Sequence, residues 1–282
     1  MHVLGGLTVW ELSRRVWQEI QEDEILDRAA SLSYYFLFAL FPTLLFLATL
    51  LGLLPGPDLM KTLMDYVAGV LPGDAASLVH RTLDEVVRGA SGGLLSLGVL
   101  AALWAASNGT ASIIIALNVA YGITHQRPWW RQRLVAVALT VALSALTLTA
   151  LLLLVFGERI GEAVAGWVGL GPLFTLVWNV LRWPAAIVFA LTGITLVYYL
   201  APTARHRWRW VTPGSVFALV AWLTMCVGLR LYVRYFGDYN ATYGSIGGVI
   251  LLMLWLYLSG VALLVGAEID SAVERAGAAP RG

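Results

Sequence analysis

Seven stretches of this chain contain no Asp, Glu, Lys or Arg: 29–57, 89–126, 134–157, 163–181, 183–204, 210–229 and 239–267. A hydrocarbon layer ~30 Å thick is crossed by about 20 residues of α-helix. Inside that layer every backbone N–H and C=O must find its partner within the protein, because no water is there to serve. Uncharged runs of this length therefore point to spanning helices. Six of them read as spans, at about 31–54, 94–120, 134–156, 183–201, 211–229 and 245–268. Composition agrees: 59% of the residues are hydrophobic and 12% are charged, about half the ~25% of ordinary soluble domains. A soluble chain of 282 residues could not cover its surface so sparingly. The expected fold is all-α, a polytopic integral membrane protein with six transmembrane helices in one bundle over residues 29–270. An amphipathic segment, 1–28, precedes it, and a disordered tail, 271–282, follows.

The seventh run, 163–181, holds Gly166, Gly169, Gly171 and Pro172, residues that interrupt helices. It reads as a re-entrant or interfacial lead-in, or as a helix from 172 that bends into the fourth span. Basic residues in connecting segments favour the cytoplasmic side of a membrane. With six spans, eleven Lys and Arg fall on the side of the termini and seven on the other; with seven spans the two sides carry nine each. The short segments RPWWRQR (127–133) and ARHRWRW (204–210) carry the bias most densely. Both termini are thus expected in the cytoplasm. About 28 largely polar residues come before the first apolar run, which is not the pattern of a cleavable signal peptide.

Residues 7–27 place Val9, Val16, Trp17 and Ile20 on one side of a helix, with Glu11, Arg15 and Glu22 opposite. Such a helix lies along the membrane face or packs under the bundle. The segment 57–91 holds two short amphipathic stretches separated by Pro72 and Gly73, expected at the outer interface. Tryptophans and tyrosines gather near span ends, as at Trp129, Trp130, Trp183 and Trp210, in the manner of an interfacial aromatic belt.

The second span is unusually polar. At 100° per residue, Trp104, Ser107, Asn108, Ala111, Ile115 and Asn118 fall within about a 100° arc. An amide facing lipid would be unpaired and costly. The arc is expected to turn into the protein or a watery cavity, either as glue between helices or as the wall of a path. In the first span, Pro42 removes one backbone donor near mid-membrane and bends the helix. Ser33 and Tyr34 precede the bend, and interrupted helices recur at transporter sites. In the sixth span, Gly248, Leu252, Trp255, Ser259, Ala262 and Gly266 make a narrow seam suited to close helix packing. Glu268 ends that span. The substrate-path candidates are Ser33, Tyr34, Pro42, Trp104, Ser107, Asn108, Asn118, Tyr121, Tyr243, Trp255 and Glu268. The packing candidates are Gly248, Ser259, Ala262 and Gly266.

No Asp, Glu, Lys, Arg or His lies in the middle of any expected span, where proton relays and ion-coupled carriers place them. The four histidines, His2, His80, His125 and His206, have no zinc-ligand spacing. No P-loop, dinucleotide glycine pattern or nucleophile elbow occurs. A net charge of +1 leaves no footprint for nucleic acid. The lone Cys226 cannot form a disulfide within the chain. Neither a catalytic residue, a metal nor a cofactor is expected; the expected partners are membrane lipids, with a lipid or small solute as candidate substrate.

Four stretches together resemble the YihY/BrkB family of bacterial inner-membrane proteins: AASLSYYFLFALFPTLL (29–45), the W-x-x-S-N-G…A-L-N-x-A-Y pattern of 104–121, the block 198–214, and YGSIGGVILLMLWLYLSGVALLVGAEID (243–270). The resemblance covers about 11–275. It implies six helices with cytoplasmic termini, and no catalytic residue carries over from it. Members have been labelled virulence or serum-resistance factors, and some bore a ribonuclease BN label; transport, including of lipids, has been proposed. The residues favour a transporter or lipid-translocating protein. The alternative is a scaffold that recruits envelope partners through 57–91; a ribonuclease ranks last.

Overall fold

The computed structural model describes residues 6–52, 92–125, 127–168, 172–203, 210–236 and 239–278. Seven helices and no strand occur among them: α1 (Val9–Glu22), α2 (Ile25–Gly52), α3 (Gly92–Ala120), α4 (Trp129–Val168), α5 (Pro172–Leu200), α6 (Pro213–Phe236) and α7 (Tyr239–Ala278). Five segments are long and apolar enough to cross a membrane: Leu100–Ala120, Trp129–Leu154, Val177–Leu200, Pro213–Tyr232 and Gly248–Gly277. The first expected span falls on α2, which runs unbroken through Pro42. The amphipathic stretches of 57–91 lie outside the described residues.

The doubtful run 163–181 is divided between two helices. Its first residues extend α4 to Val168, well past the expected end at 156, and Pro172 opens α5. Proline suits a first helical position, where its missing donor is no loss and its fixed φ is already helical. α5 then continues through Pro184 to Leu200. From Pro172 on, the stretch is thus the start of the helix that carries the fourth expected span, as the reading of a helix from 172 has it.

The chain forms two compact units, Met1–Phe38 with Asn108–Leu139 and Leu191–Gly282, and Ala39–Ser107 with Thr140–Ala190. In the second unit, the Trp178 indole donates to the Gly157 carbonyl. Gly157 leaves room there for Arg182, whose Cδ would stand 3.1 Å from an added Cβ.

The first unit is arranged around α7. Between it and α6, the Trp222 indole of α6 donates to Ser259 Oγ at 3.1 Å, and the Trp255 indole of α7 donates to Cys226 Sγ at 3.4 Å. The two rings meet edge to face. Further along, Gly214 and Gly266 bring the backbones of α6 and α7 into direct contact. Gly260 faces Ala29 of α2, and the Tyr198 hydroxyl of α5 donates to the Leu263 carbonyl.

α1 also packs on α7. Leu12 and Val16 are buried against Ala272 and Val273, with Leu7 and Ile20 partly covered. The expected apolar side is therefore split: Val9 and Trp17 face outward, 73% and 65% exposed, beside Trp10. Leu12, Val16 and Ile20 recur at four-residue spacing and so share one stripe; Val9 lies on the same stripe but at the first residue of the helix, and Trp17 lies to one side of it. The packing on α7 accords with the reading of a helix set against the bundle. Thr8 and Glu11 close a reciprocal cap at its start. Glu24, at φ 51°, turns the chain from α1 into α2.

Candidate functional site

Three polar connections tie together one end of the first unit. Asn118, near the end of α3, is almost wholly buried, and its Oδ1 accepts from the Thr203 N–H at 2.9 Å. Arg127 donates to the carbonyls of Leu200 (3.1 Å), Ala201 (3.0 Å) and Pro202 (2.7 Å). The Leu200 carbonyl is the last of α5 and the other two follow directly after it, so the guanidinium stands at the negative pole of the helix dipole. The third connection is Asp270 of α7, whose Oδ1 accepts from the Gly214 N–H at 2.7 Å. It supplements the local cap of α6, in which Thr212 and Ser215 exchange bonds at 3.0 and 3.1 Å.

Beside them lies a group of carboxylates. Glu268 is completely buried, and neither of its oxygens has a hydrogen-bond partner. Arg275 Nη2 stands 3.9 Å from it and pairs with Glu19 of α1 at 2.9 Å and with Ser271 Oγ at 2.9 Å. Glu19 and Asp23 also face Glu268. Tyr121 is half-buried close by; burial, and then the charges of Asp270, Glu274 and Glu268, raise its phenol well above its usual range. No group of three or more His, Cys, Asp or Glu among the described residues is placed to hold a metal ion.

The polar arc of α3 straddles two environments. Ser107 and Asn118 are buried, Ser107 donating to the Trp104 carbonyl at 2.7 Å. Trp104, Asn108 and Ile115, on the other edge of the same arc, are exposed. A ~100° arc is wide enough to cross the border between the covered and open faces of a helix, so the arc expected to turn into the protein or a watery cavity is divided: Ser107 and Asn118 are covered, and Trp104, Asn108 and Ile115 are open. Asn108 Oδ1 accepts from Arg133 Nη1 of α4 at 2.7 Å.

The other candidates are scattered. Ser33 is buried and donates to the Ala30 carbonyl at 2.7 Å, while Tyr34 is exposed and packs its ring against Tyr35 and Phe38. Pro42 and Trp255 are half-buried. The side chain of Tyr243 lies outside the described residues. Of the proposed seam, Gly248 is open, Ser259 and Gly266 touch α6, and Ala262 is buried. Arg127, Arg133, Tyr198, Gly214 and Asp270 were not singled out by spacing. The two arginines stood out only as topology markers; Asp270 lies two residues past Glu268, where an acid reads as a helix end.

The sequence matches the Virulence factor BrkB family across residues 16–282. The chain belongs to the BrkB family. It is 39% identical over 251 residues to the "Putative ribonuclease-like protein YfkH" of Bacillus subtilis (strain 168), covering 88% of this chain and 90% of the relative. It is 30% identical over 271 residues to a UPF0761 membrane protein of Stenotrophomonas maltophilia (strain K279a), and 26% identical over 272 residues to one of Xanthomonas oryzae pv. oryzae (strain PXO99A). This BrkB-family chain spans about 60% of the length of those two relatives. No solved structure matches it.

Proposed function

We propose that this BrkB-family membrane protein moves a lipid or small solute across a bacterial inner membrane. In this reading it has six spans, both termini are cytoplasmic, and it performs no catalysis. The observation that supports transport is Asn108. It sits inside the apolar segment Leu100–Ala120 and is exposed, with only its Oδ1 engaged by Arg133 of α4 among the contacts described. An amide held against acyl chains without partners costs several kcal/mol (roughly 2–7). Such a group persists more readily beside water or a polar ligand. The guanidinium that reaches it strengthens the case, because charged groups at membrane depth mark pathways.

The ribonuclease-like name of the Bacillus relative is not adopted for this chain. The described residues offer no acid–base pair set around an open cleft and no basic channel.

Reconstitution into liposomes with labelled phospholipid or small solutes tests the proposal. Flux above empty vesicles is expected. Asn108→Leu should abolish it while the membrane level of the protein stays unchanged. A fall in level with that substitution, or no flux over a broad panel, would return Asn108 to a packing role.

A further inference from the structure

The polar cluster at the end of α1 holds more acid than base. Glu268 of α7 is completely buried, and neither of its carboxyl oxygens has a hydrogen-bond partner. Glu19, in the last turn of α1, and Asp23, at its cap, face it. Arg275 stands 3.9 Å from Glu268, but the same guanidinium lies closer to Glu19, at 2.9 Å, and donates to Ser271 Oγ at 2.9 Å. Glu19 also has Arg15 at 3.9 Å. Arg28 of α2 is turned to the Asp23 backbone carbonyl. The other groups that face this cluster are phenols and acids. Tyr121 stands close by, the Tyr198 hydroxyl of α5 donates to the Leu263 carbonyl, and α7 itself adds Glu274 and Asp270, which accepts from Gly214. The first turn of α6, with Pro213, Gly214 and Ser215, brings no titratable group.

A buried carboxylate with no donor is costly, and like charges set face to face disfavour each other. Both costs fall when one carboxyl carries a proton, because its O–H then donates to its neighbour. The arginines say which one. Glu19 has two of them, and Glu268 shares one at the longer range. An ionised Glu268 would need water, and α1 is what keeps water away. Leu12 and Val16 cover Ala272 and Val273, and Ala272 lies one turn from Glu268 on the same side of α7.

We propose that Glu268 is a proton-binding site closed by α1. Protonated, it donates to a carboxylate at the end of α1 and holds that helix on α7. Ionised, it has given its proton to solvent and faces Glu19 and Asp23 as a third negative charge, and α1 lifts. The site stands apart from the transport reading: it makes the docking of one helix depend on one proton.

The test uses the full chain in phosphatidylcholine nanodiscs. Cys226→Ser removes the native thiol, and spin labels go on Ser13→Cys of α1 and Gly277→Cys of α7, both exposed positions. Pulsed electron spin resonance reads the separation of the two helices. In this parent, one short distance should give way to longer ones as pH rises from neutral, and return on acidification. The open-to-closed ratio should climb about tenfold per pH unit, the slope of a single proton. Glu268→Gln keeps the shape and offers N–H donors where the proton was; it should stay closed, with no slope. Glu19→Gln is a second, equally conservative variant. It removes one opposing charge and should cut the open-to-closed ratio at a given alkaline pH about tenfold. A parent that stays closed throughout, or a slope that survives in both variants, overturns the proposal. So does a slope lost in Tyr121→Phe and kept in Glu268→Gln, which would place the proton on the phenol. Closure restored at high pH by sodium chloride, and not by equal choline chloride, would assign the site to a metal cation and overturn it equally.

Discussion

At the scale of single residues, the most demanding contact is between two glycines. A Cβ on Gly214 would collide with the Gly266 backbone and stand 2.6 Å from Asp270 Cγ. Backbone cannot move aside as a flexible side chain can. Gly214→Ala should therefore lower stability by about 1–3 kcal/mol, as overpacking does, and reduce the folded yield in detergent. Gly228 on the same helix has open space around it. Gly228→Ala should leave the melting temperature unchanged or raise it, since alanine favours a helix by about 1 kcal/mol over glycine. The pair separates close approach from a general intolerance of side chains. Gly266 was legible in the sequence as part of a small-residue seam. Its partner was not, because Gly214 reads as the turn residue after a proline, and no spacing rule says which backbone will come to meet it.

At the scale of elements, the helix ends carry the information. Arg127 holds the last carbonyl of α5 and the two that follow it through three hydrogen bonds. Burial lowers the pKa of its guanidinium, which nevertheless stays charged. Arg127→Ala should destabilise the protein by about 2 kcal/mol, and Arg127→Lys should recover little, because an ammonium cannot cover three carbonyls as a fork does. The start of α1 offers a pH test. The Thr8 backbone N–H and hydroxyl both donate to Glu11 and hold its carboxyl below the usual 4.5. A lowered folded-state value means the cap supports the helix above 4.5 and weakens as pH falls through that lower value. The ¹³C shift of the Glu11 carboxyl should titrate below 4.5 in wild type and move only part of the way back toward 4.5 in Thr8→Ala, which removes the hydroxyl but keeps the larger contribution, the backbone N–H.

At the scale of the whole molecule, the testable property is the side on which each segment emerges. If both termini are cytoplasmic, cysteines introduced at Ser13 and Ala278 should resist an impermeant thiol reagent added to intact cells and react after lysis. Labelling of either from outside would reverse the topology. The arrangement around α7 explains why one helix carries so many small residues: α1, α2, α5 and α6 all approach it. Four neighbours leave little of its surface for bulky side chains at the points of contact.

The sequence alone determined that this is an all-helical membrane protein, and which family it resembles. Both follow from local quantities: the length of uncharged runs against the thickness of a bilayer, and short strings of residues. It also located most helices, since each span must satisfy its own backbone. Tertiary structure decided which edge of the α3 arc is covered, that α1 docks through Leu12 and Val16, and that Arg133 turns toward Asn108. These depend on the rotation and depth of one helix relative to another. Periodicity ranks the faces of a helix but does not name its neighbours, and an arginine at a helix end reads the same whether its side chain reaches outward or in.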